Sequence, residues 1–189
     1  MKRTAVYLLI LLLFLTGCAA PKADVPANVM AEYRGQQVTE EILAQNIEVL
    51  QFLAQGQQPT ETEMLEEILE NMILLYEAER RGLAATEEEV QAGLDSAARA
   101  YEIPESKAAL DEYFAEYGLS YDEYIERLRE TLPRTIARQK LRDTLGQEYC
   151  EKHGLTFTKV NPPEAMTKAV EQTIARLVQS EKRYVTYYR

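Results

Sequence analysis

The chain ends SEKRYVTYYR (180–189), and within it Tyr184-Val185-Thr186-Tyr187-Tyr188 is a run of β-branched and aromatic residues, the types that fit a pleated strand. Almost everything before it carries the apolar spacing of amphipathic helices. A lone strand leaves its backbone donors and acceptors unpaired, so this tail needs a partner. The one convincing extended segment elsewhere is VMAEYRGQQVT (29–39). There Val29, Ala31 and Tyr33 alternate with other residues, Arg34-Gly35 supplies a tight turn, and Val38 resumes the extended pattern. The pattern predicts that residues 184–188 pair with the segment around Ala31 to Val38, bringing the two ends of the domain together in a small sheet.

Between these ends the sequence reads as five or six helices. Thr39 caps the first, with Glu40 and Glu41 in its first turn and Ile42, Asn46, Val49, Leu50 and Leu53 on one face; residues 54–59 (AQGQQP) break it. Thr60 and Glu63 form a capping box for the strongest helix, whose stripe is Leu65, Ile68, Leu69, Met72, Ile73 and Tyr76 and whose stop is Gly82. Thr86 with Glu89 opens a third, carrying Val90, Leu94, Ala97, Ala98 and Tyr101. Pro104 leads into a short fourth, with Leu110, Tyr113, Phe114 and Tyr117, closed by Gly118. Ser120 with Glu123 starts a long fifth, with Tyr121, Tyr124, Ile125, Leu128, Leu132 and Ile136 on its apolar side. Pro133 lies inside it, where the missing donor and the crowding of the Arg129 carbonyl predict a kink. After Pro162-Pro163 a last helix from about Glu164 presents Met166, Ala169, Val170, Thr173, Ile174, Leu177 and Val178. The expected fold is mainly α, a single helical domain over residues 29–189 with a small sheet joining its N-terminal and C-terminal strands.

The first residues, MKRTAVYLLILLLFLTGCAAP, give a basic start at Lys2 and Arg3 and an apolar stretch from Val6 to Leu15, short for a membrane span and of the length of an export signal. Leu15-Thr16-Gly17-Cys18 resembles the bacterial lipobox. The expectation is a signal peptide over 1–17, a lipid on Cys18 and a flexible tether over 18–28, which place the domain outside the cytoplasm on a membrane. Acyl chains contribute roughly 0.8 kcal/mol per buried methylene, so several of them anchor firmly. Removing Lys2 and Arg3 with the signal takes the net charge from −10 to −12. Such a surface repels phosphate backbones, which argues against nucleic acid as a partner, and favours basic over acidic ligands. With Cys18 acylated, Cys150 is the single thiol left, so the core alone must hold the fold.

The order of parts carries a family resemblance. YRGQQVTEEIL (33–43) is followed by EMLEEILENMILLYEAERRGLAATEEEVQAGL (63–94) and by YFAEYGLSYDEYIERLRETL (113–132). Leu65, Ile68, Met72, Leu74, Leu75, Ala78 and Gly82, then Thr86 and Glu89, then Gly118, Leu119, Ser120, Tyr121, Glu123 and Tyr124 make the matching pattern. This run, from Val38 to about Leu145, resembles the peptide-binding N-terminal domain of SurA and of the PrsA foldase lipoproteins. In that family a C-terminal helix and strand return to complete the domain, and residues 164–189 look like that returning piece. Members with isomerase activity insert a parvulin domain of about a hundred residues before it. Here residues 146–163 occupy that place, too few for such a domain. The resemblance implies a chaperone-type module for unfolded or exported polypeptides, without an enzyme domain and without a cofactor.

Little else in the sequence carries chemistry. His153 stands three residues after Cys150, a spacing that shares a helix face. A nucleophile and base would need an orienting group and an oxyanion hole, and zinc would need further soft ligands, so no catalytic or metal residue is assigned. The acidic runs Glu66-Glu67 and Glu87-Glu88-Glu89 are explained by helix starts and solvation. The candidate peptide-binding residues are Tyr101, Tyr113, Phe114, Tyr117, Tyr121 and Tyr124, in a chain with 12 Tyr and no Trp. At helical spacing each residue taken singly reads first as core, and together they fit a groove between the third to fifth helices. Two functions stay open: a chaperone for many extended polypeptides, and an assembly lipoprotein with one dedicated protein partner.

Overall fold

The computed structural model describes residues 27–53 and 59–188, with side chains from 47 to 53 left aside. The expected signal peptide, Cys18 and nearly all of the tether lie outside the described residues, as does most of the break at 54–59.

Both ends of the domain meet as the tail sequence predicts. Strands β1 (Val29–Tyr33), β2 (Gln36–Thr39) and β3 (Val185–Tyr187) form one antiparallel sheet in the order β2-β1-β3. The hairpin between β1 and β2 turns at Arg34 (φ 49°) and Gly35 (φ 85°). Two positive φ values in a two-residue loop match the right-handed strand twist, and glycine adopts this conformation without a Cβ clash. On the other side of β1, Ala31 pairs with Tyr187, Glu32 with Thr186 and Tyr33 with Val185. The Tyr188 amide extends the ladder by donating to the Met30 carbonyl at 2.9 Å. Tyr184 lies just before the strand, in a 3-10 turn over Lys182–Tyr184.

The helices are α1 (Glu40–Leu53), α2 (Glu61–Arg80), α3 (Glu87–Tyr101), α4 (Pro104–Tyr117), α5 (Tyr121–His153) and α6 (Glu164–Glu181). Capping boxes start α2, α3 and α5 as the Thr60/Glu63, Thr86/Glu89 and Ser120/Glu123 spacings predict. Gly118 (φ 60°) and Gly154 (φ 65°) end α4 and α5 in the left-handed conformation.

Two local expectations change. Among the described side chains of α1 the buried one is Leu43, while Ile42 is 37% exposed and Asn46 is exposed, its amide donating to the Ile42 carbonyl. Adjacent apolar residues differ by one step of rotation, and docking on the sheet selects Leu43. Val49, Leu50 and Leu53 belong to the side chains left aside. Helix α5 runs on to His153, so the connection to α6 is residues 154–163 and Gly146 is interior to the helix. A Cβ on Gly146 would sit 3.0 Å from Phe157 Cε2 and 3.3 Å from Met166 Sδ, so this glycine permits the close approach of both inside the helix. Pro133 lies inside α5, which continues through it, consistent with a proline that need not break the helix.

Two apolar clusters form the core. Ala31, Tyr33, Val38, Leu43, Met64, Leu65, Ile68, Leu69 and Ile73 join the sheet to α1 and α2, with Leu177 and Val178 of α6 against them. Leu74, Ala78, Ala137, Leu141, Leu145 and Ile174 join α2, the second half of α5 and α6. At the end of α2, buried Glu77 accepts from Arg80 and Arg81, and Arg81 reaches Glu148 on α5 at 3.1 Å.

Polar contacts fix the closing strand. Glu181 Oε2 accepts from Tyr33 Oη at 2.8 Å and from Arg34 Nε and Nη2 at 3.1 and 2.9 Å. The Arg34 guanidinium lies 4.3 Å from the Tyr76 ring centre and 3.9 Å from that of Tyr184. Burial opposes the charge on Glu181, but the Tyr33 and Arg34 bonds outweigh it and hold the carboxyl below its ordinary value. Glu66 accepts from Lys182 Nζ at 2.6 Å and from Tyr187 Oη at 2.7 Å. Burial, then the bond to Glu66, push the Tyr187 phenol up to about 12.

Deleting Tyr184 to Arg189 removes β3, the Tyr187–Glu66 bond and the Tyr184–Arg34 stack. The expected loss is about 2 kcal/mol, read as a fall in melting temperature of roughly 4–8 °C; an unchanged value would show the strand does not hold the domain. A carboxyl depressed in the folded state stabilises above its unfolded value and stops doing so as pH falls through its folded value. The melting temperature is therefore expected to fall as pH drops below about 4.3. Glu181→Gln is expected to melt lower than the parent at pH 7 and to show a shallower acid dependence.

Candidate functional site

The six candidate aromatics come from the end of α3, from α4 and from the start of α5. Their convergence follows from the connections: short loops before Pro104 and at left-handed Gly118 set α4 between α3 and α5, which run antiparallel, with Tyr101 beside Tyr121 and Glu89 beside Lys140. The three helices then pack as an arm. Near its base, Gly93 of α3 lets Leu132 of α5 come close, with a Cβ there 3.1 Å from Leu132 Cδ1. The buried apolar residues of α3 and α4, Leu94 and Phe114, belong to neither core cluster.

The structure brings all six rings together. Tyr101 stacks on Tyr121 with centroids 4.4 Å apart and planes at 22°, and it meets Phe114 at 6.1 Å. Phe114 meets Tyr124 at 5.4 Å and Tyr113 at 6.1 Å, while Tyr113 meets Tyr117 at 4.9 Å. Phe114 is buried at the centre, and the five tyrosines around it are half-buried. Offset and tilted ring pairs at such separations contribute about 0.5–1.5 kcal/mol each beyond burial. The arrangement is thus a small core for the arm and, at the same time, a patch of tyrosine faces at its surface. Ile103, 50% exposed, extends the apolar surface at the α3–α4 turn.

Polar groups hold the patch in one arrangement. Tyr101 Oη donates to Asp111 Oδ1 at 2.8 Å, Lys107 pairs with the same carboxylate, and the Lys107 ammonium lies 4.8 Å from the Tyr101 ring centre. The bond from Lys107, then that from Tyr101, hold the Asp111 carboxyl below its ordinary value. Tyr124 has its phenol pushed up by burial first and by Tyr113 and Tyr121 next. The sequence signals the aromatic run but not the Asp111 and Lys107 partners, which an i, i+4 acid–base pair would suggest only on a helix already assigned.

Cys150 and His153 do not come together as a reactive pair. Cys150 is fully buried in α5, at 1% exposure, whereas His153 is exposed and stacks on Tyr149 with centroids 4.1 Å apart. Its Nδ1 lies 2.8 Å from the Tyr149 carbonyl. Among the described residues no three His, Cys, Asp or Glu side chains group to hold a metal ion, and no described helix is long and apolar enough to cross a membrane. A cleft of about 590 Å³ opens between β1, α1 and α2, with Met30, Leu43 and Leu65 inside and Glu40 and Glu61 at its edge.

Because the rings form their own cluster, damage to it should stay within the arm. Tyr121→Ala removes the stack on Tyr101, and amide exchange in α3 and α4 is expected to speed up severalfold while that of α2 stays unchanged. Equal acceleration in both regions would contradict an independent arm cluster.

No protein-family model, no curated protein and no solved structure matches the chain.

Proposed function

We propose that this chain is a lipid-anchored, extracytoplasmic holding module for unfolded or extended polypeptides, tethered through Cys18 and with no parvulin domain between α5 and α6, whose connection is residues 154–163. The observation that carries the proposal is the convergence of Tyr101, Tyr113, Phe114, Tyr117, Tyr121 and Tyr124 on an arm separate from both core clusters. Tyrosine presents large, rigid contact area with two side-chain torsions to fix, so it binds varied apolar side chains at low entropic cost. A polypeptide laid across the patch would bury apolar side chains against these rings reversibly, with no nucleotide needed. The resemblance to the SurA and PrsA peptide-binding domains points the same way. The strongly negative net charge keeps such a complex from self-association.

Full-length protein in detergent, added in equimolar excess to a chemically unfolded client, is expected to suppress aggregation measured by light scattering. Tyr113→Ser/Tyr117→Ser, which leaves Phe114 and the Tyr101–Tyr121 stack in place, is expected to lose at least half of that suppression at an unchanged melting temperature of the core. Full suppression by the variant, or none by the parent, would sink the proposal.

A further inference from the structure

Helix α5 carries a row of arginines on one side. Arg134, Arg138 and Arg142 follow one another at four-residue intervals, and α5 packs there against α2. Like charges at that spacing destabilise a helix, and the chain has 31 acidic residues with which to neutralise them. Elsewhere on α5 such neutralisation occurs, since Lys140 pairs with Glu89 at 3.0 Å and Arg129 with Glu126 at 3.7 Å. The row is different. Among the described residues Arg134 and Arg138 make no ion pair, and Arg142 reaches Glu70 only at 4.0 Å. Arg138 is half-buried and donates a side-chain hydrogen bond to Thr135 Oγ1 at 3.5 Å. Burial, then the charges of Arg142 and Arg134, pull its guanidinium below the ordinary value, against a smaller opposing effect of Glu67.

We propose that Arg134, Arg138 and Arg142 form an anion-binding row that takes the carboxylates of an extended polypeptide segment with Asp or Glu at alternate positions. Spacing supports the match. Four residues of α-helix rise about 6 Å, and alternate side chains on one face of an extended chain stand about 6.6 Å apart. Guanidinium also pairs with carboxylate through two parallel hydrogen bonds, which a surface of scattered lysines does not offer. The site lies within reach of the aromatic arm, because Arg134 follows Tyr124 by about 15 Å along α5, a distance that about five extended residues span. The inference rests on the polypeptide-holding reading and names its client class: acidic extended segments, the reverse of what net charge alone favours.

Fluorescence anisotropy on full-length protein in detergent tests it with three labelled peptides that share their apolar residues and carry alternating Glu, Gln or Lys. The Glu peptide is expected to bind about tenfold more tightly than the Gln peptide at low salt, with the preference shrinking toward parity at high salt. Arg134→Gln/Arg138→Gln is expected to abolish the preference without lowering the melting temperature, since it relieves like-charge repulsion. Arg134→Lys/Arg138→Lys, which keeps the charge, is expected to retain part of it. Equal binding of Glu and Gln peptides, or a preference that survives the Gln variant, would overturn the proposal. So would displacement of the Glu peptide by inorganic phosphate at far lower concentration than by chloride of equal ionic strength, which would mark a small-phosphate site. The light-scattering assay separates the two readings. Aggregation suppressed without any Glu preference removes the arginine row alone, whereas Glu-peptide binding without suppression removes general polypeptide holding and leaves the row standing.

Discussion

One carboxylate oxygen sets the closure of this fold. Glu181 Oε2, at the end of α6, accepts from Tyr33 and twice from Arg34, and so joins the returning helix to the first hairpin across 148 residues of sequence. Everything between those points is held in a loop of fixed ends. The hairpin turn requires Arg34 in the left-handed conformation, which costs a non-glycine residue about 1–2 kcal/mol, and the two tyrosine rings on its guanidinium together with the Glu181 bonds offset that cost. With α6 docked, β3 follows after a single 3-10 turn and joins the open edge of β1. Glu66 on α2 then fixes the strand from the helical side through Lys182 and Tyr187.

Much of this was legible in the residues because its causes are local. The tail announces itself through β-branched and aromatic composition, the hairpin through Arg34-Gly35, and the helix starts through three Ser/Thr-x-x-Glu boxes whose reciprocal bonds form within four residues. What was not legible depends on distant partners. The choice of Leu43 over Ile42 is made by the sheet that α1 docks on. Gly146 reads as a terminus from sequence, yet its role is set by Phe157 and Met166, which fold back onto it. The Glu181 node is invisible in one dimension, because nothing distinguishes this Glu from the chain's many other acidic residues until α6 is placed.

The candidate site divides in the same way. A concentration of six aromatic residues between Tyr101 and Tyr124 stands out in the sequence, but whether they share one space depends on how the short connections at Pro104 and Gly118 set α4 against the antiparallel α3 and α5. In the folded chain both descriptions of these residues hold together: Phe114 is a core residue of the arm, and the tyrosines packed on it leave part of each ring at the surface. An arm whose stability comes from the same rings that would meet a ligand is suited to adaptable contacts, since rings can re-tilt against one another without unfolding the main core. The charge pattern adds direction to this surface, with a row of arginines on α5 of which Arg134 and Arg138 make no ion pair among the described residues, set in an otherwise acidic molecule.

The holding role requires that extended polypeptide meet the aromatic arm. The most direct measurement places a photo-reactive residue at position 117 on α4 and, separately, at exposed position 168 on α6, and reads crosslinks to an unfolded client on full-length protein in detergent. The account predicts strong client crosslinking from position 117 and little from position 168. Equal yields at the two positions, or crosslinking from position 168 alone, would contradict it.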